Sequence, residues 1–385
     1  MNSQHPVIVV GAGMGGLAAA LTLSSRGMPV VLLERHAAPG GKMRQIEVAG
    51  RSIDAGPTVF TMRWVFESLF EQAGLQLDDY LQLHEAKLLA RHSWQDSPSL
   101  DLYPQLEPSM QAISEFASDS DADNYRAFAR QTEAVFNTLD HSFMRAQKTN
   151  PLALSMSNGL RGMMDMANTK PFISLWRSLA GTFKDPRLQQ LFARYATYCG
   201  SSPFKAPATL MLIAHVERAG VWLVDGGMQS LANALSQALQ DRGVDIRYGD
   251  GIDTINTRGN RVVSVTTDSG QTLNASAVVF NGDTQALAKG LLGKDASRAC
   301  SQRKEASLSA ITHCQVARTS GYELAHHTVF FGDDYVNEFS SVFKHQTVTE
   351  KPTVYVCAQD RGHETGDHDD NGLERLFSLI NAPAT

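Results

Sequence analysis

The stretch VIVVGAGMGGLAAALTLSSRGMPVVLLE at residues 7–34 decides the fold of this chain. It begins with a short apolar, β-branched run, which leads directly into the glycine-rich turn GAGMGG at 11–16. A segment of helical character follows at 17–26, and a second apolar run at 30–33 ends at Glu34. A strand, a glycine turn, a helix and a second strand in this order predict a βαβ unit of the Rossmann kind.

The spacing of three glycines and one carboxylate within this stretch favours dinucleotide binding. Gly11 permits the tight turn after the strand, Gly13 lets the backbone approach a pyrophosphate at the helix N-terminus, and Gly16 permits close helix packing. The glycines alone are a weak signal, because an ordinary turn has the same letters. Glu34 closes the second strand, where a carboxylate accepts hydrogen bonds from ribose hydroxyls and repels the 2′-phosphate of NADP.

Two later motifs favour FAD over NAD as the cofactor. The loop GGKMR at 40–44 offers unobstructed amides and two cations to a pyrophosphate and flavin, although an ordinary βα loop also fits. The motif DAGPT at 54–58 either turns the chain or passes close to a flavin ring. We assign cofactor contacts to Gly11, Gly13, Met14, Gly15, Gly16, Glu34, Arg35, Gly41, Lys42, Gly56, Pro57 and Thr58.

Two further glycine motifs leave their roles open. The string WLVDGGM at 222–228 suits either a helix start, with Asp225 favoured by the helix dipole, or a backbone lying flat near a flavin. The string VVFNGD at 278–283 favours a strand that ends in a turn.

The order of periodic segments predicts an α/β protein whose Rossmann-like, two-dinucleotide-binding FAD domain is interrupted by a mixed helical and β substrate domain. Residues 62–216 are mostly helical in character, with helices predicted at 64–73, 122–136, 172–182 and 187–198. After a helix at 229–242, strands are predicted at 245–248, 252–256, 262–267 and 278–281. The FAD domain is therefore predicted at 1–75 and 220–290, a mostly helical region facing substrate and membrane at 76–219, and a substrate-side domain at 291–385.

Composition narrows the function further. The chain has 385 residues and a net charge of −6, which argues against nucleic acid as a partner. Its four cysteines are scattered without a CxxC pair, which fits a reducing cytoplasm. The adjacent pair His326-His327 is a poor metal-ligand spacing on a strand, and we expect one exposed and one half-buried ring and no metal site. No nucleophile motif is present and no catalytic residue is assigned, so the chemistry is expected to belong to the cofactor.

Membrane contact is expected to be peripheral. The N-terminus has no signal-peptide pattern, and no run of 18 apolar residues occurs. The segment 170–184 has Phe172, Trp176, Leu179 and Phe183 on one helical face, with cations near its edge. This pattern suits either an interfacial helix or a core helix with solvated lysines.

Taken together, these residues resemble the bacterial phytoene-desaturase-type carotenoid desaturases. The stretch at 7–42 and DAGPT match the FAD signatures of that family. Strings at 56–70, 194–228, 280–283 and 326–339 resemble its branch that acts on hydroxylated carotenoids. Members of the family continue past the point where this chain stops, with another glycine-rich stretch, so we expect a truncated chain.

The resemblance implies FAD-dependent removal of two hydrogens from a C–C bond beside a polyene. The expected reaction is 3,4-desaturation of 1-hydroxyneurosporene or a related 1-hydroxy or 1-methoxy carotenoid, with oxygen or a quinone as electron acceptor. Hydride loss from an allylic carbon leaves a delocalised cation, so the protein mainly positions the bond. The proton then goes to a carboxylate such as Asp225 or to the flavin. Tyr195, Tyr198 and Ser201 are candidates to contact the polar end group.

The same resemblance leaves four alternatives. Phytoene desaturases and carotenoid isomerases have the same fold, and amine oxidases share the N-terminal signature. A chain without the last family segment could also bind a carotenoid or a partner without turnover. A membrane surface is expected because the substrate is a long lipid, which gives a cytoplasmic, peripherally membrane-associated protein.

Overall fold

The computed structural model describes residues 5–140, 145, 168–302, 306–362 and 372–384. The chain divides into two compact units. The first unit contains Met1–His84 and Trp222–Glu305, and the second contains Glu85–Val221 and Ala306–Thr385. The first unit is therefore interrupted in sequence by most of the second.

The first unit is built on a four-stranded parallel sheet. Its order is Asp245–Tyr248, Val30–Glu34, Val7–Val10 and Ala277–Phe280. The strand Val7–Val10 is buried along its whole length, which explains its continuous β-branched sequence. This sheet and the helix Met14–Ser25 confirm the predicted Rossmann-like α/β fold.

Alternate residues of the central strands fill two separate cores of the first unit. Val9 and Leu32 belong to a core that includes Leu17 and Leu235 from the helices Met14–Ser25 and Gln229–Asp241, and all four are at most 1% exposed. Residues Ile8, Val10 and Leu33 face the other core, together with the antiparallel strands Ile252–Arg258, Arg261–Thr267 and Thr272–Asn274. Each fully buried leucine contributes about 1.5–3 kcal/mol, so both faces hold the sheet in place.

The second unit contains a six-stranded, mixed sheet. Its order is Ser309–Ala317, Glu374–Ala382, Val354–Ala358, His327–Phe330, Ala90–Ser93 and Leu100–Leu102. The last two strands lie in the region predicted to be mostly helical, where no strand was predicted. Their pairing explains the miss, since Ala90–Ser93 joins His327–Phe330 from the far end of the sequence and a local period cannot reveal such a partner.

The remaining elements are short. Further strands are Gln45–Val48, Arg51–Asp54, Phe60–Thr61, Leu83–Glu85 and Val221–Val224. Further helices are Arg63–Gln72, Leu106–Phe116, Asp119–Leu139, Leu175–Ala180, Pro186–Ala193, Leu212–Arg218, Thr284–Ala288 and Tyr335–Ser340. Pro186 stands at the first helical position, after the capping carboxylate of Asp185, and fixes that helix start. Among the described residues, none of the helices combines the length and the apolar character needed to span a bilayer.

The apolar face predicted at 170–184 belongs largely to the core of the second unit. Leu179 and Phe183 are at most 2% exposed, and Phe183 stacks on Phe192 with 5.0 Å between ring centroids. Trp176 packs on Phe204 at the same centroid distance. Only Phe172 is exposed, at 99%, and it precedes the six-residue helix Leu175–Ala180. An interfacial helix with all four residues on an outer face is therefore wrong.

Candidate functional site

The glycine turn of the first unit is held between a strand and a helix. The Gly11 amide donates to the Leu33 carbonyl at 2.8 Å, and the helix begins at Met14 immediately after Gly13. A Cβ atom on Gly16 would lie 1.9 Å from the Gly11 carbonyl oxygen. Only glycine therefore fits at 16, because the helix packs directly on the strand from which it emerges.

Asn281 packs over the same turn, and sequence reasoning missed it. Its main-chain N–H donates to the Val10 carbonyl at 2.8 Å. Its side chain would lie 2.9 Å from a Cβ on Gly13 and 2.6 Å from a Cβ on Gly15. The glycines at 13 and 15 thus make room for Asn281, whatever else approaches them. The string at 278–283 carries no signal for this contact, since parallel pairing across the sheet brings it about.

The Glu34 carboxylate is bound to the main chain of the turn. One oxygen accepts the Ala12 amide at 2.6 Å and the other accepts the His36 amide at 2.8 Å. The residue is 5% exposed. Each carboxylate oxygen keeps a further acceptor position, so the group can still accept a ribose hydroxyl while it holds two amides.

The second glycine loop lies against the first. The Gly40 amide donates to the Ala12 carbonyl at 2.8 Å, and Gly13 and Gly40 form an isolated parallel bridge. Gly41 and Lys42 are exposed beside this bridge. The fold thus gathers two loops that are separated by a helix and a strand in sequence.

Asp54 connects two more of the predicted motifs. Its carboxylate accepts the Met228 amide at 2.7 Å and the Gln229 amide at 3.4 Å, at the start of helix Gln229–Asp241. The Gln229 side chain donates to the Pro39 carbonyl at 2.7 Å. A buried carboxylate at this position matches the positive end of the helix dipole. The motifs at 54–58 and 222–228 therefore meet, and Gln229, next to the second, contacts Pro39, next to the loop at 40–44.

Asp225 is on the surface of the first unit beside His84. The His84 Nε2 atom lies 3.0 Å from a carboxylate oxygen of Asp225, and the two side chains are 56% and 50% exposed. A solvated pair of this kind contributes little to stability.

The other predicted contact residues occupy varied surroundings. Met14 packs against the core, Gly56 and Thr58 are half-buried, and Pro57 is exposed. A Cβ on Gly56 would lie 1.9 Å from the Lys42 carbonyl oxygen, so this motif touches the second glycine loop. Arg35 points to the surface, with its Nε atom 3.6 Å from the Asp268 carboxylate.

A polar cluster lies separately in the second unit, with Tyr195 and Glu217 buried and Tyr198 48% exposed. The hydroxyls of Tyr195 and Tyr198 donate to opposite oxygens of Glu217, at 2.7 and 2.6 Å. The Arg194 guanidinium is 3.9 Å from Glu217, and its Nε atom is buried without a hydrogen-bond partner in the described part of the chain. Burial, with the nearby Glu217 charge, raises the pKa of Tyr195 well above its usual value. Ser201 is half-buried, and its amide donates to the Ala196 carbonyl at 3.1 Å.

Comparison with known proteins identifies the family. The sequence pattern of the family described as flavin containing amine oxidoreductase matches residues 14–370. The chain belongs to this family. A hydroxyneurosporene desaturase from Rubrivivax gelatinosus is 48% identical over 99% of this chain and 73% of its own length. Another from Cereibacter sphaeroides is 41% identical over 98% of this chain and 76% of its own length. The chain thus belongs to the carotenoid desaturase group.

A solved structure supports the fold. An oxidoreductase from Methanosarcina mazei superimposes with a TM-score of 0.61, covering 99% of this chain and 79% of that one at 15% identity. Family membership makes the protein a flavin-dependent oxidoreductase. It also accounts for a glycine turn, a buried carboxylate and a second glycine loop in one place.

Proposed function

We propose that this protein is an FAD-dependent carotenoid desaturase that removes two hydrogens from a C–C bond beside a polyene. The observation that carries the proposal is the 48% identity, over almost the whole chain, to a hydroxyneurosporene desaturase. A bound flavin would supply the hydride acceptor, so the side chains need mainly to bind and orient. We further propose a 1-hydroxy or 1-methoxy carotenoid as substrate, desaturated at its 3,4 bond, with oxygen or a quinone as electron acceptor.

The residues of the glycine turn suit FAD. Main-chain amides at the start of helix Met14–Ser25 would face the pyrophosphate, at the positive end of the helix dipole. The remaining acceptor positions of Glu34 suit the ribose hydroxyls, and the exposed loop at Gly41 and Lys42 suits a second approach to the pyrophosphate.

The polar cluster of the second unit suits an alcohol. Both tyrosine hydroxyls donate to Glu217, so their oxygens can only accept a further hydrogen bond. The Arg194 Nε–H is a buried donor with no partner among the described residues. A hydroxyl both donates and accepts, so it would satisfy Tyr198 and Arg194 together. A site of this kind rejects an analogue without the hydroxyl by about two orders of magnitude or more.

The test is incubation of the purified protein with FAD in liposomes that contain 1-hydroxyneurosporene, neurosporene or phytoene. We expect loss of two mass units from 1-hydroxyneurosporene and at least about 100-fold slower turnover of neurosporene. In Tyr198→Phe that preference should shrink, because one acceptor is removed. Conversion of phytoene alone would contradict the substrate proposal, and a product of unchanged mass would indicate an isomerase. Protein that binds no flavin, by its absorbance spectrum, would refute the enzyme proposal.

We also propose peripheral contact with a membrane surface through Phe172. This ring is 99% exposed, its neighbour Ile173 is 40% exposed, and the nearby Arg177 and Lys184 are exposed cations suited to anionic lipid. Phe172→Glu should reduce sedimentation with anionic liposomes several-fold. The matched control is Leu291→Glu, which changes another exposed apolar side chain, 69% exposed, and should have no effect. Equal sedimentation of both variants and the parent protein would contradict the proposal.

A further inference from the structure

Three potential metal ligands meet on neighbouring strands of the six-stranded sheet. Cys357, on strand Val354–Ala358, is directly opposite His327 in an antiparallel pairing, so the two side chains project from the same face. His326 precedes strand His327–Phe330, and its ring lies at 85° to that of His327 with 4.5 Å between centroids. One ligand atom from each residue lies within 4.8 Å of the other two.

The hydrogen bonds of the two imidazoles suit them as ligands. The His326 Nδ1 atom is 2.6 Å from the Arg361 carbonyl oxygen, which can only accept. The ring proton is therefore on Nδ1, and the lone pair is on Nε2, 3.5 Å from the Cys357 sulfur. The His327 Nδ1 atom is 2.7 Å from the Tyr355 hydroxyl. A backbone carbonyl on the far ring nitrogen, as at His326, is a usual support of a metal-binding histidine.

The other ring nitrogen of His327, Nε2, is buried. It has no hydrogen-bond partner in the described part of the chain, and the residue is 4% exposed. A buried polar atom left without a partner costs about 1–3 kcal/mol. The expectation of one exposed and one half-buried ring is wrong here, because His326 is half-buried and His327 is buried. The strict alternation of a strand does not extend to His326, which lies before its first residue.

The charge around the group is also compatible with a ligand role. The Arg194 guanidinium lies close enough to His327 to act on the charge of this group. The positive charge of Arg194 opposes a second cation. Its effect is reduced by the Glu217 carboxylate, 3.9 Å from the guanidinium, and a Cys357 thiolate would reduce it further.

We propose that His326, His327 and Cys357 form a zinc-binding site. Two imidazole nitrogens and one thiolate are a ligand set that Zn²⁺ prefers, at about 2.0–2.1 Å for nitrogen and about 2.3 Å for sulfur. Ligand atoms around such an ion are about 3.3–3.8 Å apart, so the three side chains need to close by on the order of 1 Å. Binding converts the Cys357 thiol to a thiolate and releases its proton to solvent. The ion would join strand His327–Phe330 to strand Val354–Ala358, and a water molecule would complete four-coordination.

The test uses the whole protein after chelation, with Zn²⁺ and with Co²⁺ as a spectroscopic probe. We expect one Zn²⁺ per chain in equilibrium dialysis. Co²⁺ should give tetrahedral absorption bands in the red, where oxidised flavin does not absorb, and a sulfur charge-transfer band in the near ultraviolet. In Cys357→Ser the charge-transfer band should disappear and zinc affinity should fall at least tenfold. The matched control is Cys314→Ser, a half-buried cysteine on another strand of the same sheet, which should leave both unchanged.

A second measurement covers the case in which a variant folds poorly. Excess Zn²⁺ should raise the thermal midpoint of the parent protein and of Cys314→Ser, because an ion that binds only the folded state stabilises it. The midpoints of Cys357→Ser and His327→Ala should not respond. Failure of the parent protein to bind zinc stoichiometrically would overturn the proposal, as would a cobalt sulfur band that survives in Cys357→Ser.

Discussion

The substitution Glu34→Gln tests the hydrogen bonds between the Glu34 carboxylate and the main chain of the glycine turn. The carboxylate accepts two main-chain amides, from Ala12 at 2.6 Å and from His36 at 2.8 Å, and it is 5% exposed. Glutamine has the same shape but only one acceptor oxygen, and its other terminal atom is a donor. One of the two amides must therefore face an NH₂ group in a buried place.

The expected loss in the free energy of unfolding follows from these two hydrogen bonds. Hydrogen bonds to a charged group contribute about 1.5–3 kcal/mol each, and a neutral bond contributes about 1 kcal/mol. Losing one charged bond and weakening the other should lower the free energy of unfolding by about 2–4 kcal/mol. The proposed ribose contact would weaken as well, so FAD affinity should fall about tenfold or more. The sequence pattern predicts for Glu34 only a contact with the cofactor, whereas these two hydrogen bonds predict that the stability of the fold falls as well.

The assay separates the two effects. Urea unfolding of flavin-free protein gives the stability change, and hydrogen exchange of the peptide at 7–36 reports whether the Ala12 and His36 amides lose protection. Arg35→Gln is the control, because its side chain is 68% exposed and its ion pair with Asp268 spans 3.6 Å. That control should change stability by less than about 0.5 kcal/mol. An unfolding free energy of Glu34→Gln that matches the parent protein, with both amides still protected, would refute the reasoning.

Three further predictions concern stability. Gly16→Ala should abolish stable folding of the first unit in thermal melts, since its Cβ would meet a carbonyl oxygen at 1.9 Å, whereas Gly27→Ala, at φ +74° in open space, should cost only about 1–2 kcal/mol. Asp54→Asn should cost about 1–2 kcal/mol in urea unfolding, because a charged acceptor of two helix amides becomes neutral. Burial and Arg194 lower the pKa of His92 to about 3, so the unfolded chain binds that proton first and stability falls as the pH drops from about 6.5 towards 3. His92→Phe should reduce this acid-side slope by up to about 1.4 kcal/mol per pH unit, and an unchanged slope in urea titrations would contradict the assignment.

Local sequence was sufficient for the fold of the first unit. The strand Val7–Val10 is buried on both faces. A strand buried in this way has a continuous apolar, β-branched sequence, and that composition predicts it. The glycine at 16 and the carboxylate at 34 stand at fixed distances along the chain from that strand. Their placement follows from one βαβ unit, and no distant contact is needed to predict it.

Local sequence did not predict the elements whose pairing or packing partners are distant in the chain. Strand Ala90–Ser93 has only four residues and pairs with the nearby Leu100–Leu102 on one side and the distant His327–Phe330 on the other, so its own period gives little indication. Residues 170–184 have an amphipathic pattern, but a pattern specifies only that one face is apolar. Packing against Phe192 and Phe204 decided that the face points inward and left Phe172 alone at the surface.

The sequence by itself determined that this protein has a nucleotide-binding βαβ unit, because that unit depends on residues close together in the chain. It also determined the family, because the similarity runs along almost the whole chain. Only the tertiary structure decided that Asn281 covers the glycine turn and that Asp54 holds the start of helix Gln229–Asp241. It alone brought Cys357 opposite His327. These contacts arise from the register of paired strands and the meeting of loop ends, which the periodicity of a single segment does not encode.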